Sequence, residues 1–309
     1  MVEKPHFWIL RLGEMTLKSR PVRRHFQNRM EQELLDLALR AEIDLHIEHI
    51  GSLIIASSHS EVGEVEEVLC HCFGLQSVDR ALPCPPDPEE VAKIALETDS
   101  RFGEERTFGV ATKRTGAKGE WGSQDFSGMV GHHMLEGDGT LSVNLSNPDH
   151  PVKVILSKQQ AWLLAQKVNC PGGLPIGVQG LVLAKISSEE VMLGAWQLMR
   201  RGCRMVVQGH SDEALLAILA GWDSTITDAK KALHSRSGPG RARGEIWGSI
   251  GEVDTSEVMK DGKNTPISVL NPMCGWSEEE MVALGEHIRN PTRAKRPSYD
   301  NDLLTSWIA

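Results

Sequence analysis

The chain has 309 residues, 40% hydrophobic and 24% charged, which suits two or three compact domains and rules out a disordered tail. Aromatics make up 5%, with eight Trp against the single Tyr299, and no apolar run reaches the roughly 18 residues a bilayer span needs, so a membrane-spanning protein is excluded. Net charge is -9, which at first argues against a nucleic-acid partner. The N-terminus lacks a cationic segment followed by an apolar stretch and a cleavage site, and the expectation is a cytoplasmic protein. Six cysteines in a chain this long fit a reducing compartment better than a disulfide framework. Cys70-His71-Cys72 could begin a metal site, but no second ligand pair accompanies it. It reads instead as a partly buried helix end, and no metal is expected.

In chain order, His6 to Leu12 is apolar and reads as a strand, and Arg20 to Leu39 carries Phe26, Met30, Leu34, Leu37 and Ala38 at helical spacing. Asp44 to Ser57 reads as two short strands broken at Gly51, and Ser60 to Cys72 as a helix. Pro83-Cys84-Pro85-Pro86-Asp87-Pro88 cannot continue a helix or a central strand, which places a domain boundary there. Glu89 to Leu96 starts a second α+β module as a helix, followed by a strand at Arg106 to Lys113 and a helix at Ser123 to Leu135. Strands at Thr140 to Leu145 and Pro151 to Leu156 flank the Asn147-Pro148-Asp149 turn. After the loop Cys170 to Gly177, a strand at Leu181 to Ile186, a helix at Glu189 to Arg201 and a strand at Cys203 to Val207 imply a parallel sheet with a right-handed crossover.

The acidic total hides a segregation along the chain. Residues 1–30 hold Lys4, Arg11, Lys18, Arg20, Arg23, Arg24 and Arg29 against Glu3 and Glu14, whereas residues 31–80 hold eleven acids against Arg40 and Arg80. Lys113, Arg114 and Lys118 form a second basic stretch, and Lys230, Lys231, Arg236, Arg241 and Arg243 a third. Each alone is a solvated surface; three together can make a phosphate-tracking face. Ser235 to Arg243 is a basic Gly/Pro loop that either orders on RNA or stays a surface connection.

Several signatures in one order resemble the tRNA 4-thiouridine synthetases, the tRNA sulfurtransferases also linked to thiamine biosynthesis. Arg11-Leu-Gly-Glu14 with Leu17-Lys18 and Phe26 looks like the opening of their N-terminal ferredoxin-like domain, and Cys72-Phe-Gly-Leu75 with Ser77 like its closing helix. Phe108 to Arg114, the helix near Gly131 and Val143 to Asp149 resemble a THUMP RNA-binding domain. Gly172 to Gly177 looks like the linker into a nucleotide-binding domain, and Asn271 to Gly275 through Ile288 like that domain's late helix.

The resemblance implies an α/β and α+β multidomain chain in three parts. These are a ferredoxin-like domain over 1–80, a THUMP domain over 81–168, and a reduced doubly wound parallel α/β domain of the PP-loop, adenine nucleotide alpha hydrolase-like kind over 169–309. It also implies that the first two grip tRNA. The residues expected to do so are Lys18, Arg20, Arg23, Arg24, Lys113, Arg114, Lys118, Trp121 and Asn147. The cations and the Gly-rich loop after Arg114 suit phosphates, and Trp121 either stacks on an unpaired base or packs in the core.

Three departures bear on catalysis. Where the family has a Ser-Gly-Gly-x-Asp-Ser loop around the ATP pyrophosphate, this chain reads Ser187-Ser188-Glu189-Glu190. Two glutamates would repel ATP, and Ser187-x-x-Glu190 fits a capping box that uses the helix donors internally. The family's relay cysteine has no counterpart after Cys274 in the remnant Arg296 to Asp302, and Cys274 reads as a small buried residue. The stretch from Val207 to Gly244 is also short, and in the later segment that looks like the family's Gly-Glu-Ser-x-Gly-Gln-Val, Glu252 stands where glutamine is usual. His210, Ser211 and Asp212 lack a nucleophile elbow and make no triad.

The expectation is a tRNA-binding protein that has lost adenylation and sulfur transfer, with no cofactor, acting with tRNA as a homodimer or beside an active sulfurtransferase subunit. The alternatives are an active sulfurtransferase that uses ATP and Mg²⁺ through an atypical loop to make 4-thiouridine, and an RNA-free scaffold that uses the acidic face of residues 31–80.

Overall fold

The computed structural model describes residues 4–117, 119–227, 246–253 and 267–294. Lys118, the basic loop Ser235 to Arg243 and the remnant Arg296 to Asp302 lie outside the described residues. By contacts the chain gathers into two units. One holds residues up to Arg11, Asp44–Val62 and Val78–Val168; the other holds Leu12–Ile43, Gly63–Ser77 and the chain from Asn169 onward.

The first unit is built on an eight-stranded sheet. Its strands are β1 (His6–Leu12), β2 (His46–Ile50), β3 (Leu53–Ser58), β4 (Leu75–Cys84), β5 (Arg106–Arg114), β6 (Leu141–Val143), β7 (His150–Leu156) and β8 (Ala161–Asn169), in the order β2-β3-β1-β4-β8-β7-β5-β6. Antiparallel pairing of β2 with β3 matches Ile50 to Leu53, so a two-residue loop joins them, and Gly51 at φ +62° supplies its positive-φ position. β5 runs parallel to both β6 and β7, placing Phe108 beside Val143 and Arg114 beside Leu156. Helices α3 (Pro88–Glu97) and α4 (Ser123–Gly137) pack on these strands, with Val91, Phe108, Phe126, Val130, Met134 and Val154 in a shared core.

Two expectations fail at β4. The segment Cys72 to Ser77 does not close a helix, and the proline run does not stop a central strand before Pro83. The preceding helix ends at Cys70, Gly74 turns the chain at φ +99°, and the strand then runs from Leu75 through Pro83 to Cys84. Pro83 stands one residue from the strand end, where its missing N–H forfeits little of the ladder. The Cys84 carbonyl is closed by the Gln160 Nε2 donor at 2.7 Å. β8 has no counterpart among the expected elements; its apolar run Ala161 to Leu164 turns polar at Gln166 and Lys167, so neither strand alternation nor helical spacing persists.

The second unit holds α1 (Arg20–Arg40), α2 (Val62–Cys70, shared with the first unit) and a three-stranded sheet. Its strands, β9 (Leu181–Ala184), β10 (Arg204–Val207) and β11 (Ile246–Ile250), run parallel in the order β10-β9-β11. α5 (Glu189–Arg200) lies between β9 and β10 in sequence, as the expected strand-helix-strand order requires. α6 (Glu213–Ala220), unforeseen because its apolar sequence EALLAILA shows no polar stripe, and α7 (Glu278–Arg289) complete the unit. The core brings together Phe73, Trp196, Trp222, Met205, Leu284 and Ile288. Within it α1 is tied to the linker by two bonds to Ile176: its N–H donates to Glu33 Oε2 at 3.2 Å, and its carbonyl accepts from Arg29 Nε at 3.0 Å.

Candidate nucleic-acid interface

β5 forms because TFGVATK packs Phe108 inward and keeps its last residues at the surface. Its C-terminal end delivers Lys113 and Arg114 to a turn fixed by polar bonds. The Thr115 N–H donates to the Leu156 carbonyl at 2.9 Å, and the Ser52 and Thr115 hydroxyls lie 2.8 Å apart. Gly116 then adopts φ +71°.

Alternation along the strand separates the two cations. Lys113 is exposed, while Arg114 is half-buried and lines a small cleft with Gly119, Trp121, Leu156 and Lys158. Arg114 Nη2 donates to the Ala117 carbonyl at 3.3 Å, which leans the guanidinium over the Gly-rich loop. Trp121 is half-buried and edge-on to Phe126, with ring centroids 6.3 Å apart. One side of the indole therefore packs on the core while the residue still lines the cleft.

Lys158 was not among the expected contacts. It sits exposed in the turn between β7 and β8, which is pinned by Ser157 N to Gln160 O at 2.8 Å and Gln160 N to Ser157 Oγ at 3.0 Å. A lone lysine in Ser-Lys-Gln-Gln carries no signal until the turn places it beside Arg114. Asn147 lies at the other end of β5: Asn144 Oδ1 accepts from the Asn147 N–H at 3.1 Å, and the nearby Thr107 and Asp149 side chains bond at 2.6 Å. At about 3.3 Å per strand residue this is roughly 20 Å from Arg114.

Lys18, Arg20, Arg23 and Arg24 belong to the second unit, exposed around the start of α1. That first turn contains no acidic residue, and the Ser19 side chain makes no capping bond. Cations at a helix N-terminus oppose the macrodipole, so this charge distribution works against the helix that carries it.

At the start of α5 the expected capping box is not the one formed. Ser188, not Ser187, is the N-cap, its hydroxyl accepting from the Val191 N–H at 3.4 Å. The shift by one residue moves Glu190 off the third helical position, where Val191 offers no carboxylate to complete the box. Nor is Glu189 a bare repulsive charge: Arg289 on α7 grips it through two bonds, at 2.7 and 2.8 Å, and this pairing makes the Arg289 proton harder to remove. Ser187 and Glu190 are exposed. Ser211 Oγ accepts from the Ile186 N–H at 3.0 Å, and Asp212 caps α6 through Ala214 and Leu215. Cys274 is exposed in the turn after Asn271, which overturns its reading as a buried residue. Its neighbour Met273 enters the core instead.

Residues 87–165 match the THUMP domain family. The chain is 30% identical over 217 residues to a probable tRNA sulfurtransferase of Methanocaldococcus jannaschii, covering 67% of this chain and 57% of the relative. A probable tRNA sulfurtransferase of Methanobrevibacter smithii is 28% identical over 67% of this chain and 54% of its own length. The chain thus spans little more than half the length of the curated relatives it matches. Among solved structures, PH1313 from Pyrococcus horikoshii Ot3 superposes with a TM-score of 0.69 at 22% identity, over 92% of this chain and 99% of that one. A 4-thiouridine synthetase solved with RNA and ATP gives a TM-score of 0.66 at 18% identity, over 96% of this chain and 89% of that one. These two likenesses show the fold.

Proposed function

We infer, for a chain that belongs with the tRNA sulfurtransferases of the 4-thiouridine synthetase family and carries a THUMP domain, that it binds tRNA and holds or presents it without adenylating it or transferring sulfur. The observation that carries the first half is the cleft at the end of β5, where Arg114, Lys158, Trp121 and a glycine-rich turn meet beside one acid, Glu120. Two cations and open backbone suit phosphates, and a half-exposed indole offers a stacking face, a combination that grips RNA with little base selectivity. The uncompensated arginines at the start of α1 support the same reading, because a polyanion relieves the repulsion they impose on their own helix.

The second half rests on the start of α5. Ser188 takes one of the helix donors with its own hydroxyl, and the first helical residue is Glu189, paired with Arg289, in place of the small residues of the family's loop. With Ser188 capping the helix and no glycine in the turn before it, the third segment acts as a scaffold, and tRNA would be passed to an active partner subunit. Fluorescence anisotropy with labelled tRNA at about 100 mM salt tests the binding. Dissociation constants in the micromolar range or tighter, rising steeply with salt as affinity is lost, are expected; no binding under those conditions removes the proposal. Calorimetry with ATP and Mg²⁺ tests the second half: no heat is expected, and saturable binding would restore the enzymatic reading.

A further inference from the structure

Cys70 closes α2, and Cys170 opens the linker toward the three-stranded sheet. Their sulfurs lie 4.0 Å apart although the residues are 100 positions apart in sequence. The backbone on both sides is already fixed. Cys170 N–H donates to the Gln76 carbonyl at 3.1 Å, Gly172 N–H to the Leu75 carbonyl at 2.7 Å, and Gly74 N–H to the Gly172 carbonyl at 2.9 Å. The linker therefore runs beside the chain leaving α2, and the two cysteines sit where the segments converge.

Cys70 Sγ also reaches the Asn169 carbonyl at 3.6 Å, a weak bond that a side-chain rotation gives up at little cost. Cys72, two residues on, points elsewhere, toward the Met30 and Phe73 carbonyls at 3.7 and 3.6 Å. Cys84 is engaged with the Ala161 carbonyl at 3.5 Å in the other unit, and Cys274 is exposed.

We propose that Cys70 and Cys170 are a latent redox pair, which a peroxide converts to a disulfide joining the end of α2 to the start of the linker. One sulfur, as thiolate, attacks a peroxide oxygen and breaks the O–O bond, leaving a sulfenic acid and releasing hydroxide, which takes up a proton to become water. The second sulfur attacks the sulfenyl sulfur, forming the S–S bond and expelling a second hydroxide, which is likewise protonated to water. Two thiols and one hydrogen peroxide give one disulfide and two waters. Both cysteines are buried, and the contact with the Cys70 thiol, together with burial, pushes the Cys170 thiol well above its ordinary range. The pair accordingly stays reduced under mild conditions and reacts under sustained oxidant. The bond would bridge the whole THUMP match between its two sulfurs and constrain the unfolded chain.

The test is to treat the full chain with hydrogen peroxide, block residual thiols, and map disulfide peptides by mass spectrometry. A linked Cys70–Cys170 peptide about 2 Da lighter than its two thiol halves is expected, with the thermal midpoint of the oxidised protein several degrees above the reduced one. Cys72→Ala should keep both signals, and Cys70→Ala and Cys170→Ala should each abolish them. If those two variants fail to fold, the peptide map of the wild-type chain decides alone. A map that pairs either cysteine with Cys72 instead, or shows no Cys70–Cys170 link once Cys274 is fully oxidised, overturns the proposal.

Discussion

Glu33 sits on α1 at 6% exposure, its carboxylate pushed up to about 8 by burial and by the neighbouring Asp223, against the opposing pull of Arg29 and Arg204. A carboxyl whose folded pKa lies above its unfolded value of 4.5 stabilises fully below that value, and the contribution is lost as pH rises toward 8. Stability should therefore fall between pH 4.5 and 8, by on the order of 1 kcal/mol for each pH unit from this group. Glu33→Gln should flatten that limb in urea titrations run across the window; an unchanged slope would show that Glu33 is not its source. Nothing in the sequence marks this residue, because the spacing that places Leu34 and Leu37 on the buried face is silent about which acid goes in with them. The same blindness hid Lys158. Ser188 was within one position of legible, since a Ser-Ser pair offers two caps and only the path of the chain from Ile186 selects between them.

At the scale of elements, caps and turns were the readable part where their chemistry is local. Asp87 before Pro88 announces a helix start, and its Oδ1 accepts from the N–H groups of Glu89 and Glu90 at 3.0 and 3.1 Å. Asp87→Ala should cost about 1 kcal/mol in chemical denaturation, and a loss below a few tenths would mean that the prolines alone fix the helix start. Gly173 makes a different demand. At φ +76° its missing side chain lets the Arg200 carbonyl occupy the space where a Cβ would stand. Gly173→Ala should destabilise by more than about 1 kcal/mol, and a wild-type thermal midpoint would contradict the close approach. The elements that escaped the sequence, β4, β8 and α6, lack a clean period: β4 carries a proline one residue from its end, β8 changes character midway, and α6 is apolar nearly all round.

For the whole molecule, charge is distributed against the global sign. An acidic chain keeps cations at one strand end and at one helix start, where neither local pairing nor the helix dipole calls for them. The order of signatures along the chain made the family legible, because each constrains the next; which cations converge was not, since Arg114 and Lys158 meet only through the parallel register of β5 with β7. No helix among the described residues is long and apolar enough to cross a membrane.

The most direct test is the slope of log K against log salt for tRNA binding by the wild-type chain and by the Arg114→Ala/Lys158→Ala double variant. If the cleft holds phosphates, the variant binds more weakly across all tRNA species and its slope falls by about 1.5, roughly 0.7–0.9 for each lost contact. An unchanged slope and affinity would contradict the account.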